Sequence, residues 1–129
     1  MDRRDAAMAY YEAIDAGDYD RLRALLAPDF VQHRPDRTLD GPESFVRFMR
    51  EKRPRTDTEH VLKAVGVGGE TTAASQDDGE MSETPRDDGA SAVFVEGRLR
   101  AADGTDLFGF VDVHRVGDAG IESLTTYTA

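Results

Sequence analysis

Two segments of this sequence place ionisable side chains next to aromatic and branched apolar ones, as a small protein does when it builds an apolar cavity with a few polar groups. The first spans residues 27–35 and contains Phe30 and His33; the second spans residues 108–115 and contains Asp112. A carboxyl group beside aromatic rings is partly desolvated, which favours its neutral form and raises its pKa. Such an aspartic acid can donate a proton near neutral pH, and an imidazole with an ordinary pKa of about 6.5 can accept one. The two segments therefore predict a site with groups that could transfer protons, but they do not by themselves identify a reaction.

The second segment is typical of a β-strand, which we predict over residues 105–116. Side chains two residues apart in a strand point to the same side, so Phe108, Phe110, Asp112 and His114 share one face. We expect this face to line the cavity, with Asp112 as its acid/base group. The alternative is that Asp112 serves only in a structural ion pair with Arg34, Arg98 or Arg115, or caps a turn.

Three histidines are available for a second proton-transfer role. His33 is our prediction, because it lies close to the expected cavity mouth. The alternative is that His33 hydrogen-bonds a backbone carbonyl and fixes the turn before Pro35. His60 begins a later strand and is predicted to lie on the surface. His33, Asp112 and His114 could approach a two-histidine, one-carboxylate set, but the local spacing typical of zinc or iron sites is missing, so we expect no metal.

The elements that would position these groups begin with a helix over residues 3–16. Apolar residues recur there at the spacing of one helical face, starting from Ala7 and including Tyr10 and Tyr11. Gly17 is placed to end the helix in the left-handed conformation.

Two shorter helices are expected next. Asp18 can cap the second helix, which buries leucines and stops around Pro28. Pro42 is well placed as the first residue of the third helix, on which Phe45 belongs to an apolar face. The basic cluster within residues 47–55 lies at the C-terminal end of this helix, where cations complement the helix dipole; the alternative is an anion-binding patch.

The rest of the chain predicts strands. Between the first two of them, residues 68–90 contain almost no large apolar side chain. They could hold a short strand near residues 70–74, and residues 76–89 are expected to form a mobile acidic loop. Three helices that lead into a curved antiparallel sheet predict an α+β fold with the helices on the concave face. The predicted antiparallel strands span residues 59–67, 91–101, 105–116 and 120–128.

Composition limits the class of protein. The 129 residues fit a single domain over residues 1–129, and the lack of cysteine excludes disulfides and thiolate chemistry. The net charge of -10 argues against a nucleic-acid or anionic-membrane partner. No apolar run approaches the roughly 18 residues that cross a bilayer, so we expect a cytoplasmic protein. Because Lys52 and Lys63 are the only lysines, the acidic surface is similar to that of proteins from salt-accumulating organisms.

Four stretches, taken in order, carry a family resemblance; they cover residues 10–20, 26–30, 39–45 and 112–115. With them the chain resembles the nuclear transport factor 2-like superfamily over nearly its whole length, except the acidic loop. Within that superfamily, the turn at residues 33–35 is similar to that of the SnoaL-like polyketide cyclase group. The resemblance implies a cone-shaped α+β barrel, in which three N-terminal helices pack on the curved antiparallel sheet.

The resemblance also implies roles for single residues. Ketosteroid isomerases, which are similar in fold, hold an oxyanion with a tyrosine that corresponds to Tyr10 and with a protonated aspartate that corresponds to Asp112. Tyr11 could exchange roles with Tyr10 through a small helix rotation, and Tyr10 could also be a core residue with a satisfied hydroxyl. Where those enzymes have an aspartate base before a proline, this chain has Arg34 before Pro35, and a guanidinium cannot act as a base. Ketosteroid isomerisation is therefore not expected, whereas in SnoaL-like cyclases the aspartate that corresponds to Asp112 is the acid/base group.

Residues and resemblance together predict a SnoaL-like small-molecule enzyme of the isomerase, cyclase or hydrolase type, with Asp112, His33 and Tyr10 as its catalytic residues and with no cofactor. The alternative is a non-catalytic ligand-binding or dimerisation module of the same fold. We also expect a homodimer through the outer sheet face, because strand alternation predicts an apolar patch there. The residues predicted to contact the ligand are Tyr11, Phe30, Phe45, Phe48, Phe108, Phe110 and His114. The residues predicted for the dimer patch are Val93, Val95, Leu99, Val111 and Val113.

Overall fold

The computed structural model describes residues 2–52, 57–68 and 91–129. The short strand predicted near residues 70–74 and the acidic loop predicted at residues 76–89 lie outside the described residues. Within the described part of the chain, no helix has the length and apolar character that crossing a membrane requires.

The first helix, α1 (Arg3–Ala16), has the bounds that the sequence predicts. It begins where the Asp2 side chain accepts a hydrogen bond from the Asp5 backbone N–H at 2.8 Å, which satisfies one of the free amides of the first turn. It ends at Gly17, whose φ of 70° is left-handed. One face of α1 is buried against the sheet and carries both Tyr10 and Tyr11.

Two shorter helices follow. α2 (Tyr19–Leu25) begins where the Asp18 side chain accepts a hydrogen bond from a backbone N–H, as predicted. It ends before Pro28, because Leu26 is already extended. α3 (Pro42–Arg47) begins at the predicted proline and continues as a π-helical turn over Phe48–Lys52.

In the described part of the chain, six strands form one open sheet in the order β2-β1-β6-β5-β4-β3. Their bounds are β1 (Leu26–His33), β2 (Thr38–Asp40), β3 (Thr58–Val67), β4 (Ser91–Ala101), β5 (Asp106–Gly117) and β6 (Gly120–Thr128). The strands β3 to β6 pair antiparallel, as predicted. However, β1 pairs parallel with β6, so the sheet is mixed and not antiparallel throughout. The α+β class with three helices on a sheet is confirmed. The parallel pairing of β1 with β6 was missed, because alternation in the sequence shows which side chains share a face of a strand but not how the strand runs beside a distant strand.

The helices pack on one face of the sheet and enclose an apolar core. Val93 and Val95 lie within this core and are fully buried, which corrects their predicted place in an outer patch. In the register of β4 and β5, Val93 pairs with His114 and Val95 pairs with Asp112. Paired residues point to the same side of a sheet, so all four side chains point inward.

The opposite face of the sheet exposes apolar side chains of its own. Phe94, Val111 and Tyr127 are 44%, 40% and 58% exposed. Val111, which belongs to the predicted patch, pairs directly with Tyr127, and Val113 is half-buried. Leu99 pairs with Phe108 on the inner side of the sheet, so its predicted place in the outer patch is wrong as well. An apolar outer face is therefore present, with partly different residues from those predicted.

Gly97 of β4 allows a close approach on the inner face. It pairs with Phe110 of β5, and a Cβ atom at this position would lie 2.8 Å from Phe110 Cζ and 2.6 Å from the carbonyl oxygen of Val61. The Phe110 ring therefore occupies the space that any other residue at position 97 would take. As a result, the ring lies beside Tyr11 of α1, with the two ring centres 6.0 Å apart.

Candidate active site

Strand β5 carries two polar side chains into the core. Asp112 and His114 lie two residues apart on its inner face, and they are 4% and 0% exposed. A buried carboxyl group requires hydrogen-bond donors, since otherwise the protein loses the hydration of its charge without compensation. The neighbouring elements supply these donors.

Asp112 accepts a short hydrogen bond at each of its two oxygens. Tyr11 Oη, from α1, donates to Oδ2 at 2.6 Å, and Thr126 Oγ1, from β6, donates to Oδ1 at 2.7 Å. Thr126 lies directly opposite Asp112 in the sheet, so the register of β5 and β6 sets this contact. The two donors stabilise the charged carboxylate and hold the side chain in one orientation.

A line of hydrogen bonds continues from Thr126 across the parallel pair of strands. Gln32 Nε2, from β1, donates to Thr126 Oγ1 at 3.0 Å, and Arg34 Nη1 donates to Gln32 Oε1 at 3.3 Å. The guanidinium carbon of Arg34 lies 5.2 Å from the centre of the Phe48 ring, a cation–π contact that holds the charge in place. The line therefore brings a positive charge toward Asp112 through two neutral side chains.

His114 completes the buried cluster. Its Nε2 lies 2.8 Å from Tyr11 Oη, whose own proton is donated to Asp112, so the hydrogen between the two groups belongs to Nε2. Burial lowers the pKa of His114 to about 3, which keeps the ring neutral at physiological pH. Its Nδ1 has no hydrogen-bond partner among the described residues. A neutral His114 therefore supports the Tyr11 hydroxyl and does not carry charge itself.

Of the hydrogen-bonded groups, Asp112 is the one placed to titrate. Burial raises the pKa of Asp112, whereas the hydrogen bonds from Tyr11 and Thr126 and the positive charges of His60 and Arg34 lower it by a smaller amount. Burial and the neighbouring carboxylate raise the pKa of Tyr11 far above its ordinary value, so the phenol keeps its proton. The cluster thus holds one carboxyl group with a raised pKa between two hydroxyl donors.

The arginines considered as ion-pair partners for Asp112 lie elsewhere. Arg98 pairs with Asp106 at 3.2 Å, Arg115 is exposed, and Arg34 reaches the carboxyl group only through the line of hydrogen bonds. Among the described residues, Asp112 therefore forms no direct ion pair with an arginine.

Tyr11, and not Tyr10, donates to the carboxyl group. Tyr10 lies one residue earlier on α1; its ring stacks on Phe45 with centres 6.1 Å apart and meets the His114 ring edge-on at 5.1 Å. One residue along a helix turns a side chain by about 100°. The two tyrosines therefore exchange places, as the sequence left open, and among the described residues the hydrogen bonds to Asp112 come from Tyr11 and Thr126.

His33 is exposed at the end of β1 and does not join the buried cluster. Phe30 and Gln32 are buried in this strand, so His33 falls on the opposite face by alternation. The structure therefore does not bring the predicted second proton-transfer group to Asp112. Gln32 was missed, although the alternation that starts at Phe30 could have identified it, and Thr126 was missed because only the sheet register brings it to Asp112. The described residues contain no group of three His, Cys, Asp or Glu side chains placed to hold a metal ion.

Most of the residues predicted to contact a ligand lie in one apolar layer. The Phe30 and Phe45 rings meet at 5.0 Å, close to edge-on. Phe108 is half-buried and lies outside the core. The predicted residues that the structure does bury are Tyr11, Phe30, Phe45, Phe48, Phe110 and His114.

The sequence that forms this fold and this cluster matches a known family. The family model described as the SnoaL-like domain matches residues 7–121, which is most of the chain. The chain belongs to this family. No curated protein sequence matches that of the chain.

Solved structures share the fold of this SnoaL-like domain. A nuclear transport factor 2-like protein of unknown function from Cytophaga hutchinsonii has a TM-score of 0.69 at 13% identity, covering 100% of this chain and 91% of that one. A candidate polyketide cyclase from Sinorhizobium meliloti has a TM-score of 0.70 at 15% identity, covering 95% and 94%. A candidate isomerase of the SnoaL-like family from Agrobacterium tumefaciens has a TM-score of 0.67 at 18% identity, covering 97% and 95%. At these identities the likeness shows the fold alone.

One more histidine of this SnoaL-like domain contacts the buried cluster. His60 of β3 was predicted to lie on the surface; its side chain keeps 13% exposure to solvent, and the rest of it packs against the buried cluster. Its ring centre lies 5.1 Å from that of Tyr11 and 5.6 Å from that of Phe110. Its Nδ1 lies 2.7 Å from Asp15 Oδ1 near the end of α1. The contact with α1 was not visible in the sequence, because the two residues are 45 positions apart.

Proposed function

We propose that this SnoaL-like domain is a small-molecule enzyme of the isomerase, cyclase or hydrolase type, with cofactor-independent acid/base chemistry at Asp112. The observation that carries the proposal is a buried carboxyl group whose pKa is raised by burial, while Tyr11 and Thr126 hold both of its oxygens. Such a group can take up and return a proton near neutral pH. The names of two structural neighbours, a candidate polyketide cyclase and a candidate isomerase, support this class of reaction.

The chemistry begins with ionised Asp112 as a base. It removes a proton from the carbon beside a substrate carbonyl, and the electron pair of the broken C–H bond forms an enolate. In an isomerisation, Asp112 returns the proton to another carbon of the same molecule. In a cyclisation, the enolate carbon attacks a second carbonyl, and Asp112 gives the proton to the new alkoxide. In a hydrolysis the proton comes from water, whose oxygen attacks the carbonyl, and Asp112 passes the proton to the leaving group.

The residues around Asp112 have separate tasks in this proposal. Tyr11 and Thr126 position the carboxyl group before a substrate arrives, so little reorganisation is needed during the reaction. His114 holds the Tyr11 hydroxyl in place. The surrounding aromatic rings favour a compact apolar substrate. We propose no catalytic contact for His33 or Tyr10: His33 is exposed on the other face of β1, and Tyr11 and Thr126 are the described donors to Asp112.

A second candidate is a non-catalytic ligand-binding or dimerisation module of the same fold. The apolar side chains exposed on the outer sheet face favour a homodimer, in which two copies cover these residues. This assembly is compatible with either function, because the outer face lies on the other side of the sheet from Asp112. The negative charge of the chain favours small molecules over nucleic acids as partners, and a cytoplasmic location stays a prediction.

Proton abstraction can be measured without knowing the natural substrate. The protein is incubated in D₂O and concentrated salt with cyclohexanone, 2-tetralone and γ-butyrolactone, and the loss of protons beside the carbonyl is followed by NMR. Asp112→Asn keeps the size of the side chain but removes the titrating proton, so exchange should fall by about 10²- to 10⁴-fold. Asp118→Asn, in an exposed turn, is the matched control and should keep the wild-type rate. If D112N exchanges as fast as the wild type, Asp112 is not the base.

A further inference from the structure

Asp15 and His60 form a hydrogen-bonded pair next to the Asp112 cluster that the chemistry above does not use. Asp15 Oδ1 lies 2.7 Å from His60 Nδ1, and Asp15 Oδ2 accepts the backbone N–H of His60 at 3.0 Å. One carboxylate thus holds both the backbone and the ring of the histidine. Because an ionised carboxylate is only an acceptor, Nδ1 carries the hydrogen. The neutral His60 ring therefore has its free electron pair on Nε2.

The His60 ring lies against the same aromatic side chains that surround Asp112. Tyr11 and Asp15 are four residues apart on α1, so they are neighbours on one side of that helix. The Tyr11 and Phe110 rings are 5.1 and 5.6 Å from the His60 ring, and Tyr11 itself donates to Asp112. Asp15 and Tyr11 from α1 contact the ring, and Asp112 from β5 is close enough for its charge to interact with that of His60.

His60 differs from the two other histidines in a way that suits proton transfer. His114 is fully buried, and its pKa is lowered to about 3, so it stays neutral. His33 is exposed and lies outside the cluster. The His60 side chain is 13% exposed, so it can exchange protons with solvent while it contacts the buried site. A carboxylate that orients a histidine through a hydrogen bond to one ring nitrogen is the arrangement found in catalytic dyads.

We propose that His60 is a second proton-transfer residue of this site, oriented by Asp15 and working with Asp112. The proposal rests on the proposed function. Protonated His60 gives its Nε2 proton to the substrate carbonyl oxygen as Asp112 removes a proton from the neighbouring carbon, so a neutral enol forms in place of an enolate. When the carbonyl forms again, Nε2 takes its proton back and Asp112 returns the other proton to carbon. His60 takes the role that the sequence suggested for His33, and Asp15 is a positioning residue.

The first test needs no substrate. The ring nitrogens of the three histidines are followed by ¹⁵N NMR from pH 5 to 9, with exposed His33 as the internal reference. His60 should show hydrogen on Nδ1 in its neutral form, and Asp15→Ala should abolish this preference. In His60→Gln, the carboxyl carbon of Asp112 should titrate at a higher pH than in the wild type, because a positive charge that favours the carboxylate has gone. A neutral His60 with its hydrogen on Nε2, or an unchanged Asp112 titration, would overturn the proposal.

The second test separates a catalytic role from a structural one. In the D₂O exchange assay with 2-tetralone, H60Q should lower the rate at least tenfold, and the pH–rate profile should lose one of its two limbs. D15A should give an intermediate loss, and Glu59→Gln, an exposed neighbour on β3, should change neither quantity. If D112N abolishes exchange while H60Q keeps the wild-type rate and pH profile, the proposed function stands and His60 only fastens β3 to α1. A wild-type protein that exchanges none of the probes refutes the proposed function and the catalytic role of His60 together, whatever the NMR titration shows.

Discussion

Replacing Tyr11 with phenylalanine removes a single hydroxyl group from the centre of the buried cluster. The ring and its stacking on Phe110 remain, whereas the 2.6 Å hydrogen bond to Asp112 and the 2.8 Å contact with His114 Nε2 are lost. Tyr10→Phe is the matched control, since it removes the same group from a neighbouring tyrosine that is equally buried and does not donate to Asp112.

The size of the effect follows from the two lost contacts. A hydrogen bond to a charged group contributes about 1.5–3 kcal/mol, and a buried polar group left without its partner costs about 1–3 kcal/mol. With Asp112 ionised, Y11F should therefore lower the free energy of unfolding by about 2.5–6 kcal/mol. With Asp112 protonated, the hydrogen bond to a charged group is absent from the wild type as well. Y11F then costs only the loss of the partner of His114, which is about 1–3 kcal/mol.

The pH dependence has a definite sign. Burial raises the pKa of Asp112, so the folded protein holds this proton more tightly than the unfolded chain does. The resulting stabilisation is fully present below the unfolded pKa and is lost as the pH rises through the folded pKa. Y11F removes a donor that lowers the pKa of Asp112, so the folded pKa rises further. The difference in stability between wild type and Y11F must then widen as the pH rises.

Urea unfolding of the wild type, Y11F and Y10F between about pH 4 and pH 8 measures this difference. We expect the loss in Y11F to grow across this range and the loss in Y10F to stay constant. A loss in Y11F that does not vary with pH, or a pH-dependent loss in Y10F, would show that Tyr11 is not the donor to an ionisable Asp112.

Two further predictions concern the sheet. Gly97→Ala places a methyl group 2.6 Å from the Val61 carbonyl oxygen and should lower the free energy of unfolding by about 1–3 kcal/mol. Gly66→Ala is the control and should not show this loss, because a methyl group there would contact nothing within 4 Å. Equal urea midpoints for the two variants would contradict the close packing at Gly97. On the outer face, the wild type should sediment as a dimer at micromolar concentration in high salt, and Val111→Lys should sediment as a monomer; a wild-type monomer under these conditions would refute the proposed interface.

The parts of the fold that depend on local pattern were predictable. Asp18, Gly17 and Pro42 mark helix ends through conformations and hydrogen bonds that involve only nearby residues, and the structure has the helix ends there. Likewise, the alternation from Phe110 to His114 shows which side chains share a face, because that property belongs to a single strand.

The residues that were predicted in the wrong place are those whose contacts depend on elements distant in the sequence. Tyr10 and Tyr11 both belong to the buried side of α1, and only the position of β5 selects the one that reaches Asp112. His33 and Gln32 differ by one position in β1, and a shift of one position in the phase of a strand exchanges its two faces. Val93 was assigned to the wrong face for the same reason, because its orientation is fixed by pairing with β5.

The contact between Gln32 and Thr126 links the site to one edge of the sheet. Among the described residues, the strand outside β1 is β2, which is three residues long, so this edge of the sheet is short. Each separation of β1 from β6 withdraws Gln32 and Arg34 from the threonine that donates to Asp112. Opening of the β1 edge would therefore loosen the hydrogen bonds around Asp112, and a molecule that binds beside Asp112 should slow hydrogen exchange of backbone amides in β1.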